Sequence, residues 1–510
     1  MYFQRINFVF CLVLIILVSS IPVFNGEVYA SSQGNLNLPS IYPSKGYATH
    51  VLYNDRVFGW GENVFGVIGN GENTDRITPT LISGLSEVKQ IAGGYDYTLF
   101  LMNNGTVKST GWNSYGAAGY GDTIHRSTPI TIPGLTGVKQ IATGEISSYA
   151  LLENGTVMAW GWNGYGQLGL GDYVDKGTPT LIPNLSNVKQ IIAGYYHVFA
   201  ILNDGTIKAW GYNGNGGLGL GDNIDRNTPT TLNLSNVQQI SAGHDVSFAI
   251  LNDGTVKAWG YNEYGQLGLG NTTDYYIPTN VPDLYGAVQI EAAYDYTLVL
   301  MLNGEIRAMG YNFYGSLGLG DRVDRLIPTV IPGLTTVVHI AVSQIGSYAV
   351  QQDGKIFAWG YNEYGDLGLG DFINRNVPTN LQLPSETATY IYDSANRLSR
   401  ITSSTGVVIN FTYDLNGNLI NVQKVEASQS VISSQQLLMS LNESSSEIET
   451  RNRKLELRTR HQTITMTDLI TDMTSTNDEI EKLEDQQSNI TYPNNNETSE
   501  VLATFARFFQ

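Results

Sequence analysis

Carboxylates recur in pairs along this chain, and their spacing is the first chemistry to weigh. Gly221-Asp222-Asn223-Ile224-Asp225-Arg226 sets two acids three positions apart beside an arginine, and close variants recur downstream and upstream. Two such carboxylates could join a calcium site, which needs roughly six to eight oxygens. The competing reading is structural: the acids cap backbone amides and the arginine bridges to a neighbouring carboxylate. Recurrence at one position of successive copies favours the structural reading. The histidines, His50, His125, His197, His244, His339 and His461, have no metal-ligand spacing between any two. No Gly-x-Ser-x-Gly elbow and no phosphate loop ending in Lys-Ser/Thr occurs. Paired acids drawn from distant segments stay open as a route to glycan cleavage. The chain therefore predicts no catalytic residue, no metal and no cofactor, with an enzyme as the weaker reading.

The stronger signal lies where copies of one repeated stretch disagree. At one position they carry Gly94-Tyr95-Asp96-Tyr97, Glu145-Ile146-Ser147, Tyr195-Tyr196-His197, His244-Asp245-Val246, Tyr294-Asp295-Tyr296 and Gln344-Ile345-Gly346. Aromatic residues with acids, on loops over a rigid scaffold, make recognition surfaces. The candidate ligand-binding residues are Tyr95, Asp96, Tyr97, Tyr195, Tyr196, His197, His244, Asp245, Tyr294, Asp295 and Tyr296. Read conservatively, the same residues only cap strands.

The elements that must position them repeat about every 50 residues. The anchor glycines are Gly61, Gly111, Gly161, Gly211, Gly260, Gly310 and Gly360, seven copies, the mark of a closed or stacked array. Each copy reads as four short strands: one after Pro-Thr (Pro179 to Ile182), then Val188 to Ala193, His197 to Leu202 and Thr206 to Trp210. Asn154-Gly155, Asp204-Gly205, Asp253-Gly254 and Asp353-Gly354 join the last two, as residues that supply positive φ in a two-residue hairpin. The third strand is apolar on consecutive positions, as in Phe248-Ala249-Ile250-Leu251, which marks a strand covered on both faces. Four-stranded sheets packed around an axis, a β-propeller, satisfy that demand. The last copy ends at Val377 to Leu381 with no further Val-Lys-Gln-Ile. By this reading Ile41 to Trp60 carries the missing strands, so one blade is expected to combine both ends of the chain.

Trp-Gly-x-Asn-x-x-Gly-x-Leu-Gly-x-Gly, then Thr-Pro, then Val-x-x-Ile-x-x-Gly, resembles the regulator of chromosome condensation repeat, whose members form seven-bladed propellers. The resemblance covers about residues 41 to 383. Met309 replaces Trp, Asn271 replaces Asp, and Ala293 and Ser343 replace the glycine found at Gly194. The founder of that family exchanges nucleotide on a small GTPase, an activity of one branch. A related propeller inhibits β-lactamases by binding through loops.

Residues 384 to 424 change character. Tyr390-Ile391-Tyr392-Asp393 with Arg397-Leu398, then Tyr413-Asp414 with Gly417-Asn418-Leu419, resembles the tyrosine-aspartate (Rhs-type) repeat of bacterial surface proteins. Two copies imply a small strand module. From Val425 to Gln510 the chain is polar, with Leu441, Ile448, Leu455 and Leu469 on a seven-residue spacing interrupted by Gln462. A helical stalk that oligomerises and a loosely helical or disordered tail both fit; polar residues at the second apolar heptad position favour the latter.

Residues 1 to 30, with Arg5 ahead of Phe8 to Val18 and Val28-Tyr29-Ala30 before Ser31, read as a secretory signal peptide. Cys11, the sole cysteine, lies within it. Its removal discards one base, Arg5, and one acid, Glu27, leaving the net charge at −18. That sign argues against nucleic acid or anionic lipid as a partner. The expectation is an all-β, seven-bladed propeller of four-stranded blades with a small module and tail, secreted or at the cell surface. It would bind an extracellular protein or glycan through loops on one face, with no membrane anchor in the mature form.

Overall fold

The computed structural model describes residues 38–384, 387–393, 395, 397–403, 408–414, 419–425 and 464–465. The leader read in residues 1 to 30 lies outside the described residues, as does the stalk or tail read beyond Val425, apart from the short strand Ile464–Thr465. The chain divides into two compact units after Pro384. Among the described residues no helix is long and apolar enough to cross a membrane.

The first unit is a seven-bladed β-propeller. Its four-stranded antiparallel sheets span residues 40–81, 88–131, 138–181, 188–232, 237–280, 287–330 and 337–381, here blades 1 to 7. In blade 4 the strands Val188–Ala193, His197–Leu202, Ile207–Gly211 and Arg226–Leu232 are hydrogen-bonded in that order. The first lines a central channel and the last forms the outer edge. The second is buried nearly throughout, as is Tyr97–Met102 in blade 2, because neighbouring blades cover both of its faces. Each outer strand carries a central proline, Pro79 through Pro378, which removes an edge donor and discourages pairing with other chains.

Two features of blade assembly explain the repeated motif. The tryptophan indoles reach the previous blade: Trp210 Nε1 donates to Gln167 O (2.8 Å), Trp259 to Gly217 O (2.8 Å) and Trp359 to Ser316 O (2.8 Å). Gly169 has φ +71, and a Cβ there would lie 2.8 Å from Trp210 Nε1, so the Leu-Gly step is fixed by both backbone and space. Along the channel, glutamine amides clasp the next blade's inner strand. Gln140 Nε2 donates to Ile191 O (2.9 Å) while its Oε1 accepts from Ile191 N (3.0 Å), and Gln90 and Gln289 do the same to Ile141 and Ile340.

The closure expected from the sequence is corrected. Ile41 to Trp60 does not pair with Val377 to Leu381; the latter belongs to Arg375–Leu381, which pairs with Ile356–Gly360 of its own blade. The Pro-Thr strand always completes the preceding blade, as Lys176–Leu181 does beside Val157–Gly161, so every blade is one continuous stretch. The apparent surplus at the amino terminus came from starting each unit one strand early. The ring closes by contacts of the kind seen between other blades, although blades 2 and 6 carry Thr110 and Met309 in place of the tryptophan. Trp60 Nε1 donates to Asp366 O (2.7 Å), the Thr49 and Tyr348 hydroxyls lie 3.0 Å apart, and His339, in the glutamine's place, hydrogen-bonds the Ile41 backbone. Ile41, Val51 and Trp60 share a core with Tyr348, Ile356 and Leu381.

The hairpins also differ from expectation. Only Asn54-Asp55 uses positive φ at both central residues (52 and 58). In the others the glycine alone does, as at Gly105 (φ 76), closing a Met102 to Gly105 turn, a type I turn followed by a left-handed residue. The preceding Asn104 Oδ1 accepts from Thr106 N (3.0 Å) and Thr106 Oγ1 (2.7 Å).

The second unit is a sheet of Leu419–Val425, Val408–Tyr413, Leu398–Ser403, Thr387–Tyr392 and Ile464–Thr465, in that order. Asp393 Oδ1 caps the amides of Ala395 and Arg397 (both 2.9 Å), its Oδ2 accepts from Arg397 Nε (2.8 Å), and Arg397 lies over the Tyr413 ring. The tyrosine-aspartate motif is thus a turn clasp above Ile401, Ile409 and Phe411.

Candidate binding face

The variable loops converge. Those between the first and second strands of each blade (residues 44–47, 94–96, 144–146, 194–196, 243–245, 293–295 and 343–345) open on the face that also carries the long loops after Gly61, Gly111 and their equivalents. The tie is direct: Glu62 N donates to Tyr47 O (3.0 Å) and Trp112 N to Asp96 O (2.8 Å). Successive inner loops are also bonded to one another: Lys45 N to Gly94 O, Tyr95 N to Glu145 O, Glu145 N to Tyr195 O, Tyr195 N to Gly243 O and His244 N to Ala293 O, at 2.8 to 3.2 Å. These bonds link six of the seven loops in succession and fix where their side chains emerge.

Of the eleven residues singled out, Tyr97, His197 and Tyr296 are buried core residues at the start of second strands. They tie blade to blade: Tyr97 donates to Ser147 O (2.7 Å), Tyr296 to Gly346 O (2.7 Å), and His197 Nε2 sits 2.8 Å from Ser247 Oγ. Tyr195 is also buried. Its hydroxyl donates to Lys45 O (3.2 Å), three blades away, while Lys45 Nζ donates to Ala193 O (3.2 Å). The two side chains cross the axis and floor the channel at this face. The remaining seven, Tyr95, Asp96, Tyr196, His244, Asp245, Tyr294 and Asp295, do assemble at the face, with Asp245 buried beneath its partly exposed neighbours. His244 is the hub of one group, with Tyr294 at 4.0 Å, Tyr195 at 5.2 Å and Tyr196 at 5.6 Å between ring centroids. Its Nδ1 lies 3.1 Å from Asp245 Oδ2, which also accepts from Asn215 Nδ2 (2.9 Å).

A larger set of rings surrounds this group. The Trp-Gly-x-Asn-x-x-Gly motif supplies Trp162, Tyr165, Tyr212, Tyr261, Tyr264, Tyr311, Tyr314, Tyr361 and Tyr364. They form chains of edge and tilted contacts, such as Tyr264–Tyr311 (4.9 Å), Tyr314–Tyr361 (5.0 Å), Tyr47–Tyr364 (5.1 Å) and Tyr165–Tyr196 (5.4 Å). The scaffold consensus hid them: within that motif the glycines and the asparagine are fixed, and two of the three free positions are aromatic in most copies.

Burial sets the charge of the face. Asp96 is pushed up to about 7 by desolvation and by Glu62 and Glu145. Asp295 rises to about 6 by desolvation, against the pull of His244. Glu145 rises by desolvation, opposed by His244 and Lys45. Desolvation also drives Asp245 up, but the His244 and Asn215 hydrogen bonds outweigh it and leave it below the ordinary value. Lys45 is lowered to about 8 by desolvation despite Glu291 and Glu145.

The repeated acidic loops are structural. Asp225 Oδ1 accepts from Asn213 N (2.7 Å), Asp222 Oδ2 from Arg226 Nη2 (2.7 Å), and Asn213 Nδ2 donates to Asp222 O and Oδ1. Blades 3, 6 and 7 repeat the pattern. Among the described residues no group of three or more His, Cys, Asp or Glu is placed to hold a metal ion.

Behind the floor lies a cavity of about 1140 Å³, lined by the inner strands of all seven blades and reaching Asn54, Asp55 and Gln352 at the opposite end. Its lining carboxylates are Glu291, pushed up to about 7 by burial and hydrogen-bonded to Gln289 (2.8 Å), and Asp55, which accepts from Glu87 N (2.9 Å).

The family model for the RCC1-like domain matches residues 174–396, and those for the regulator of chromosome condensation (RCC1) repeat match residues 54–101, 88–117 and 138–167. An RHS repeat model matches residues 392–429. No curated protein sequence matches the chain. Among solved structures, human WBSCR16 is similar at 24% identity and a TM-score of 0.60, over 66% of this chain and 96% of its own. Yeast RCC1 (Prp20), solved bound to Kap60, is similar at 23% identity and a TM-score of 0.60, over 72% of this chain and 93% of its own. A second structure of Prp20p, from Saccharomyces cerevisiae, gives 21% identity and a TM-score of 0.58, over 82% and 99%. At these identities the structural likeness concerns the fold. Seven registered repeats, the matched family models and the seven-bladed ring together place this chain in the regulator of chromosome condensation repeat family.

Proposed function

We propose that the protein is a binding module that docks a partner protein on the face built from loops 44–47, 94–96, 144–146, 194–196, 243–245 and 293–295 and the aromatic belt around them. The observation that carries this reading is the belt itself. Tyrosine and tryptophan rings, held over an arc of six backbone-bonded loops, offer large contact area with little side-chain entropy to lose, and carboxylates sit among them. The net charge of −18 favours a partner with a basic surface. Prp20p, which shares the fold, was described for its binding to Gsp1p and histones, so a propeller of this shape supports protein docking. The leader read in residues 1 to 30 supports a secreted or surface-bound protein, for which mass measurement of the exported chain, expected to begin at Ser31, is the test. A hydrolase working in the channel finds less support, since Asp55 is engaged in capping and leaves Glu291 without a second free acid.

The experiment is capture of partners from culture fluid and cell-surface extract on the immobilised full chain, followed by hydrogen exchange on the complex. Protection of residues 44–47, 94–96 and 293–295 is expected. Protection confined to the hairpin turns at 103–105, 203–205 and 303–304 on the other face would sink the reading, and retention of a glycan in place of a protein would change the partner class.

A further inference from the structure

Where blade 7 meets blades 1 and 2, the face holds an acidic cup that differs from the His244 group. Tyr47 stands at its centre, with ring centroids 5.1 Å from Tyr364, 6.0 Å from Tyr361 and 6.2 Å from Tyr95. Asp366 lies beneath them, only 3% exposed. Its Oδ2 receives a long bond from Tyr364 N (3.4 Å), and its Oδ1 has no hydrogen-bond partner. Glu62 and Asp96 are half-buried beside it.

We propose that this cup binds the cationic end of a lysine or arginine side chain presented by the partner. The inference rests on the reading of this face as the docking surface. A buried carboxylate oxygen without a donor is costly. In two other blades Gln167 and Gln266 stand in the position of Asp366, and their single side-chain oxygen is bonded by Tyr165 N and Tyr264 N, which leaves the Gln266 Nε2 unpaired but no oxygen without a donor. The replacement by aspartate leaves a second oxygen, buried and unpaired, close enough to the tyrosine cluster to act on Tyr47. The leading charges on the three carboxyls are negative: Glu62 and Asp75 on Asp366, Glu62 and Glu145 on Asp96, Asp75 on Glu62. By contrast His244 and Lys45 act on Glu145, and His244 on Asp295. A cation supplied from outside would complete the cup, with tyrosine faces adding cation–π attraction. Desolvation, with those acids, holds Asp366 at about 8 and Asp96 at about 7, so an arriving cation displaces protons and binding tightens as pH rises from 6 to 8.

The test is titration of the full chain with a peptide of alternating lysine and glycine and with its Nε-acetylated counterpart. The lysine peptide is expected to bind, more tightly at pH 8 than at pH 6 and with proton release at pH 7, and the acetylated peptide to bind at least tenfold more weakly. Glu62→Gln and Tyr364→Leu, each checked for an unchanged melt, should weaken the lysine peptide at least tenfold. Glu153→Gln, which removes the same charge from a hairpin turn on the other face, should change affinity less than twofold. No binding, equal binding of the two peptides, or equal losses for Glu62→Gln and Glu153→Gln would overturn the proposal. A natural partner that needs Tyr196 and Tyr294 but ignores Glu62 and Tyr364 would sink the cup while leaving the docking face standing; a partner lost only on altering the opposite face would sink the face itself.

Discussion

His50 shows how single residues set this protein's response to acid. It is fully buried, its Nε2 donates to Ile68 O (3.1 Å), and its Nδ1 has no partner. Desolvation lowers it from 6.5 to about 4. As pH falls from 6.5 towards 4, the unfolded chain takes up a proton that the folded chain refuses, so stability is lost across that window. Tyr149 and Tyr348 occupy the equivalent position and donate to Gln167 O and Asp366 O. His50→Tyr should therefore keep the contact while removing on the order of 3 kcal/mol of acid destabilisation at pH 4, read from urea melts at pH 7 and pH 4; an unchanged difference between the two pH values would contradict this. Asp366 has the opposite sign. Its raised value means that stability falls as pH climbs from about 4 to 8, and Asp366→Asn should flatten the decline between pH 6.5 and 8. These roles are hard to see in sequence. Tyr97, His197 and Tyr296 share the composition of the rim residues beside them, and only strand phase, one residue further on, turns them into the core.

At the scale of elements, the sequence shows the strands and hides how they are grouped. Val188–Ala193 and His197–Leu202 are readable from apolar runs and punctuation. No periodicity tells which blade a Pro-Thr strand joins, because that choice depends on contacts across the whole copy. The corrected grouping has a consequence for closure. If blades 7 and 1 meet by the same contacts as other neighbours, Trp60→Ala and Trp210→Ala should each cost about 3 to 5 kcal/mol and agree to within about 1 kcal/mol. A Trp60→Ala variant that unfolds like the parent in urea would mean that something other than this interface closes the ring. The candidate face was half legible for a related reason. Loops that vary between copies stand out, whereas the belt sits inside the consensus and looks like scaffold until the first and last free positions of each copy are placed side by side.

For the whole molecule, all seven blades and their closing contacts fall within residues 38–384. A fragment of those residues should show one cooperative melt within a few degrees of the full chain, and a large drop in melting temperature would show that the second unit or the tail supports the ring. A closed ring also makes the face rigid, so that residues from different blades act together on one partner. The central claim is that this face does the binding. The most direct measurement is the dissociation constant for a captured partner with the parent, with a Tyr196→Ala, His244→Ala, Tyr294→Ala triple variant, and with an Asn104→Ala, Asp204→Ala, Asp253→Ala triple variant on the opposite face. Tyr195 is left intact because it floors the channel. The account predicts that the first variant keeps its fold and loses binding by several kcal/mol, about 2 kcal/mol or more for each residue that is a hot spot, while the second binds like the parent. Parent-like binding by the first variant together with loss in the second would contradict it.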